Sequence, residues 1–211
     1  MSNLKYFLEL ISVSSLIRSF RPRQYGNLVA ESPNHLEPIR LTGMIEEILA
    51  MGIKTRTKVL NFDFVHPPKK VAENLKLNGD ARVLRIERIR WVKEKPISFT
   101  VSYVPSDLGE KISVKDLSVQ PLLNVLEDKC RVKIIRGSQI IKATEADPRT
   151  ASFLEVITGT PLLKIERVVF DIKSTPVEYV SIFYRSDRYH YAVDFMRKRP
   201  ESRAQRDYIK V

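Results

Sequence analysis

The sequence predicts an α+β fold, an antiparallel β-sheet with flanking helices. Three observations predict it. Strand-length runs that alternate apolar and polar positions recur from residue 53 onward. Short capped segments with one apolar side lie between them and read as helices. The helix-and-hairpin pattern of residues 71–99 then returns in residues 150–179.

Taken in order, residues 4–17 place Phe7, Leu8, Leu10, Ile11, Leu16 and Ile17 at helical spacing. A basic turn, a short strand and an exit linker follow, punctuated by Gly26 and Pro33. A second organisation begins at Leu41. Thr42 caps a helix through Glu46 and Glu47 to Met51, and Gly52 stops it. Residues 53–65 read as extended, with Val59, Asn61 and Asp63 alternating against Leu60, Phe62 and Phe64. His66-Pro67-Pro68 breaks that strand. Pro68 opens a helix with Val71, Leu75 and Leu77 on one side, stopped by Asn78-Gly79. Residues 83–92 and 96–104 form a β-hairpin around the polar turn 93–95. Residues 120–129 make a short amphipathic helix carrying Leu122, Leu123, Val125 and Leu126. Residues 131–144 make a strand with Gly137 at a bulge. Asp147 caps a helix with Pro148 at its first position, running through Ala151, Leu154 and Ile157 to Gly159. Residues 162–172 and 176–185 form a second hairpin, and residues 189–195 a last strand.

The two hairpin units resemble each other. Leu84, Ile86, Glu87 and Arg88 match Leu163, Ile165, Glu166 and Arg167 at an offset of 79, and Pro96 matches Pro176 after one extra turn residue. Ala72 and Leu75 match Ala151 and Leu154 upstream. Two copies predict a pseudo-symmetric sheet with helices against one face.

Composition narrows the chemistry. The chain has 211 residues, 43% hydrophobic and 29% charged, with no apolar run long enough to cross a bilayer. Glu9 interrupts the first apolar stretch and no cleavage site follows it, so the expected compartment is the cytoplasm. A single cysteine, Cys130, excludes an internal disulfide and any multi-cysteine metal centre, and reads as a small hydrophobe. His35, His66 and His190 form no metal-binding pair. No catalytic residue, cofactor or metal is assigned. The net charge of +11 suits an anionic partner; +4 of it falls on the C-terminal tail, residues 197–211.

The stretch Gly159, Pro161, Leu162, Leu163, Glu166, Arg167, Pro176, Val177, Glu178, Tyr184, Arg185, Asp187, Arg188 and Tyr189 resembles, in order, the C-terminal signature of the UTRA domain. That domain is the effector-binding module of HutC-subfamily, GntR-type transcription regulators. Arg88, Arg90, Pro96 and Pro105 resemble the family's earlier strands, and the likeness covers roughly residues 40–196. It implies a chorismate-lyase-like fold, a homodimer, and a small-molecule ligand. The division it implies is a residual winged helix-turn-helix tail at 1–40, the effector domain at 41–196 and the basic tail at 197–211. The segment from Lys5 to Ser32 is similar to the end of such a DNA-binding domain, and Arg18, Arg21 and Arg23 would be residual wing contacts to DNA. The bracing helices upstream are missing from that likeness, so sequence-specific DNA binding is expected only through a complete winged helix-turn-helix.

In sugar-phosphate-binding members the resemblance puts a ligand against an Arg-x-Arg pair, here Arg88 and Arg90, which alternation places on one side of a strand. It adds the Glu178 carboxylate and the Tyr184 phenol of the last hairpin. The family's glutamate on the return strand is Thr100 here, and the serine and tyrosine of its middle helix are Pro121 and Leu123. These departures point away from an amino-sugar phosphate and toward a less hydroxylated anion such as a carboxylate. The predicted ligand-binding set is therefore Arg88, Arg90, Thr100, Glu178 and Tyr184. Alternatives stand beside it: structural ion pairs of Arg88 and Arg167 with Glu87 and Glu166, a lyase-like enzyme on the same fold, or a dimerising modulator of a full-length regulator.

Overall fold

The computed structural model describes residues 55–189 and Tyr191. The helices expected near residues 4–17 and 42–51, the wing residues Arg18, Arg21 and Arg23, and the basic tail lie outside the described residues. Tyr189 and Tyr191 belong to no strand, and the rest of the expected last strand is likewise outside.

Six strands are described: β1 (Thr55–Val65), β2 (Val83–Val92), β3 (Lys95–Pro105), β4 (Ile134–Glu145), β5 (Pro161–Asp171) and β6 (Pro176–Arg185). They form one antiparallel sheet in the order β1-β2-β3-β6-β5-β4. Helix α1 (Lys69–Leu75) links β1 to β2. The segment from β3 to β4 carries α2 (Ser106–Gly109), α3 (Val114–Val119) and α4 (Leu122–Asp128), and α5 (Pro148–Leu154) links β4 to β5. Strand, helix, strand, strand thus occurs twice, and the two sets join along β3 and β6.

Both faces of the sheet are covered. On the outer face, Val71 and Leu75 of α1 pack on Val83 and Tyr179, while Ala151 and Leu154 of α5 pack with Ile89, Phe99 and Leu162. On the inner face, Leu84, Ile86 and Val104 meet Leu117, Leu122, Val125, Leu126 and Cys130 from the α2–α4 segment. The expectation of helices against one face holds for α1 and α5 only. β2 alternates but is buried on both sides, so the middle helices take the second face. Cys130 lies in this inner core, where burial pushes its thiol pKa up, as expected for an inert small hydrophobe.

Local details depart from the sequence reading for identifiable reasons. In β1 a bulge interrupts the register between Val59 and Asn61. It puts Val59 on the same face as Phe62 and Phe64, against the inner core, and turns Leu60 to the outer one. Simple alternation had separated Val59 from Phe62. In β4 the irregularity lies between Ile134 and Arg136, and Gly137 pairs normally with Val169. Helix α5 begins as expected, with Asp147 Oδ1 accepting the Thr150 N–H at 2.7 Å. It ends at Leu154, because Glu155 turns into the left-handed region (φ 53°), and Ile157 is left 83% exposed. α1 stops the same way at Lys76 (φ 53°), ahead of Asn78-Gly79. α3 owes its start to a capping box between Ser113 and Asp116.

Candidate functional site

Strand register assembles the site. On the inner face, Thr57, Arg90, Ser98 and Tyr184 fall in one cross-strand row, and Val59, Arg88, Thr100 and Ile182 in the next. A hollow of about 80 Å³ opens over these rows, beneath Pro121, Leu122 and Leu123 at the entry to α4. All five predicted ligand residues, Arg88, Arg90, Thr100, Glu178 and Tyr184, line it. Alternation along β2 and β6 accounts for this, since 88 and 90 share a face, as do 178 and 184. Glu178 and Tyr184 are buried at 4% and 3% exposure. The Arg88 guanidinium donates from Nη2 to Ser102 Oγ at 3.3 Å, and Arg90 Nη1 donates to Thr55 Oγ1 at 3.0 Å. The ring of Tyr189 lies 4.2 Å from that of Tyr184, centroid to centroid.

The hollow also holds groups that the sequence reading did not place there. Thr57 and Ser98 arrive through register with Arg90, which no local pattern reveals. Arg167 lines the far side from β5. Its signal was present: it is the counterpart of Arg88 at the 79-residue offset. The positions of Pro121 and Leu123 put the middle helix where the resemblance implied, with apolar side chains in place of a serine and a tyrosine.

The neighbouring glutamates point the other way. Glu87 is paired on the outer face with Arg85 and with Arg149 of α5, the latter at 2.5 Å. Glu166 meets Lys70 of α1 at 2.6 Å, Lys142 at 2.8 Å and Lys164 at 3.0 Å, and accepts from Tyr179 Oη at 3.3 Å. The sequence alternative of Arg88–Glu87 and Arg167–Glu166 pairs gives way to these, because adjacent strand residues face opposite sides. The Lys70 and Arg149 ties also join helices to strands far along the chain, where α1 packs on β6 and α5 on β3.

The paired carboxylates make stability acid-sensitive. Burial alone would raise the Glu166 pKa. Hydrogen bonds from Lys142, Lys70 and Lys164 outweigh it and hold the carboxyl well below its ordinary 4.5. Lys129 and Ser113 pull Asp116 from 3.8 to about 2. For a depressed carboxylate the unfolded chain binds the proton first, so its contribution is complete above the unfolded pKa and drains away as pH falls through the folded one. Melting temperature is therefore expected to be level, as far as these groups are concerned, down to about pH 5 and to fall below about pH 4.5. Glu166→Gln should flatten that fall in thermal melts; an unchanged acid limb would show that Glu166 is not its source.

At the end of β6, Arg185 donates to both Asp187 oxygens, at 3.0 and 2.7 Å, and to the Leu154 carbonyl at 3.2 Å. The Tyr-Arg-x-Asp-Arg-Tyr stretch thus fastens β6 to the end of α5. Among the described residues no helix is long and apolar enough to cross a membrane.

A family model, the UTRA domain, matches residues 50–190. The HTH-type transcriptional regulator YurK of Bacillus subtilis is 24% identical over 179 residues, 85% of this chain and 72% of the relative. The HTH-type transcriptional regulator GgaR of Escherichia coli is 28% identical over 150 residues, 70% of this chain and 58% of that protein's length. Among solved structures, the effector domain of PhnF from Mycobacterium smegmatis shares the fold. Its TM-score is 0.67 at 18% identity, over 76% of this chain and 98% of that one. A GntR-family transcriptional regulator from Enterococcus faecalis gives a TM-score of 0.62 at 27% identity, over 66% and 99%. With the family model spanning most of its length, and with that sheet, the chain belongs to the UTRA domain family, among transcription regulators of the GntR type.

Proposed function

We propose that this chain is the sensing part of such a regulator: the inner-face hollow binds a small anionic metabolite without transforming it. Occupancy then changes the geometry of a homodimer and so the posture of attached DNA-binding heads. The single observation that supports this best is the lining of the hollow. Arg88, Arg90 and Arg167 line it together with one carboxylate, Glu178. Guanidiniums grip carboxylates and phosphates in a fork, and the hydroxyls of Thr57, Ser98, Thr100 and Tyr184 add donors and acceptors. The set grips and orients; it offers no paired nucleophile and base.

A thermal-shift panel of small carboxylates and phosphate esters tests the reading. A bound anion at ten times its dissociation constant should stabilise the chain by about 1.4 kcal/mol. Arg90→Ala should remove the shift, read against that variant's own ligand-free melt. An Arg90→Ala chain that responds like the wild type would move binding elsewhere. Pyruvate released from chorismate would favour the lyase.

A further inference from the structure

We infer that the hollow takes a diacid: a ligand with one anionic group at the Arg88–Arg90 pair, a short apolar spacer, and a second anionic group at Arg167. The inference rests on the sensing role proposed above and deepens it by naming the ligand class.

The observation behind it is the state of Arg167. Its residue is 9% exposed and lines the hollow. Among the described residues its hydrogen bonds go to one neutral group. Nε and Nη2 both donate to Gln139 Oε1 of β4, at 3.1 and 2.8 Å. No carboxylate of the described residues ion-pairs with it. The adjacent acid, Glu166, is turned to the outer face and taken up by three lysines. A buried cation needs a counter-charge, and an amide orients a guanidinium without neutralising it. Gln139 thus holds the fork in place and leaves its charge for a guest.

Position supplies the rest. Arg90 and Arg88 stand on β2 and Arg167 on β5, with β3 and β6 between them. At ordinary strand spacing those two backbones are about 14 Å apart, so the arginines work from opposite sides and not as one cluster. The floor between them changes character. Ser98 and Thr100 lie beside the β2 pair; on β6, next to Arg167, Val180 and Ile182 are flanked along the strand by Glu178 and Tyr184, and Leu123 is also in the lining. Arginines at both sides, with Val180, Ile182 and Leu123 between them and Glu178 set off beyond Val180, match a molecule acidic at both ends with an apolar spacer.

The test compares diacids with matched monoacids at constant ionic strength. The probes are glutarate, adipate and pimelate, the monomethyl ester of each, and ω-phosphono-carboxylates of the same lengths. Titration calorimetry and thermal shift are read on wild type, Arg90→Ala, Arg167→Gln and Gln139→Glu. At one chain length a diacid, dicarboxylate or phosphono-carboxylate, should bind the wild type at least tenfold more tightly than the monoester. Arg167→Gln should bind the two alike. Gln139→Glu keeps Arg167 but supplies an internal counter-ion, so it should also erase the preference, and it serves if Arg167→Gln fails to fold. Equal binding of diacid and monoester by the wild type, with Arg90→Ala losing both, would overturn the diacid and leave the sensing role standing. A preference that survives in both Arg167→Gln and Gln139→Glu would overturn it too. If no probe binds, or Arg90→Ala changes nothing, the sensing role itself fails and the diacid with it.

Discussion

Gly109→Ala is expected to cost about 3 kcal/mol, the upper end of what overpacking a core usually does. For a domain of this size that is a fall in melting temperature of roughly 6–12 °C. Backbone conformation is not the reason, because the described glycines with positive φ are Gly79 and Gly159. Space is the reason. A Cβ at Gly109 would lie 2.6 Å from Leu84 Cβ and 3.2 Å from Phe64 Cε1. Leu84 is fully buried on β2, which is paired on both edges by β1 and β3, so its Cβ cannot swing away as the end of a long side chain would. The close approach lets α2 lie directly on the sheet and launch the segment that roofs the hollow. Gly79 gives the contrast: nothing lies within 4 Å of a Cβ there, and alanine should cost only about 1 kcal/mol for its φ of +55°. Urea or thermal melts of the two variants separate the effects. Equal, small losses would place α2 farther from β2 than described.

That contact was invisible to sequence reading, and its invisibility is typical of what was missed. The hairpins were legible because alternation and turn residues act locally: β2, β3, β5 and β6 stand within a residue or so of where pattern placed them. The shared face of Arg88 and Arg90 follows from the same alternation, and Glu178 and Tyr184 from the likeness of the last hairpin to the UTRA signature. Failures came where geometry depends on partners far along the chain. The bulge at Leu60 answers to what β2 presents across the ladder. Four-residue α2 is too short for a periodicity to exist, and α3 nearly so. The end of α5 at Leu154 was overrun because Ile157 fits the helical spacing, yet the chain has already turned left-handed at Glu155. In sequence Arg167 stands beside Glu166 and invites pairing with it. On a strand that adjacency guarantees separation, one side chain to each face.

Glu87→Ala carries the second large effect, about 3 kcal/mol, and it tests whether the two faces of β2 act independently. Glu87 is 1% exposed and holds two guanidiniums, Arg85 on its own strand and Arg149 on α5. Removing one partner of a buried ion pair costs about 3–5 kcal/mol, and the lower end applies because Arg149, 54% exposed, can return to water. Arg149 also rests over the rings of Phe153 and Phe99, at 5.2 and 5.8 Å, so the loss of Glu87 loosens α5 without detaching it. The next side chain along the strand, Arg88, reaches into the hollow on the other face, and the ladders to β1 and β3 fix the strand between them. Glu87→Ala should therefore melt earlier yet gain the same increment from a saturating anion as the wild type. Arg90→Ala should gain nothing from the anion relative to its own ligand-free melt. Loss of the anion increment in Glu87→Ala would mean that the outer-face tie sets the aim of the inner-face arginines, and the independence of the two faces would be wrong.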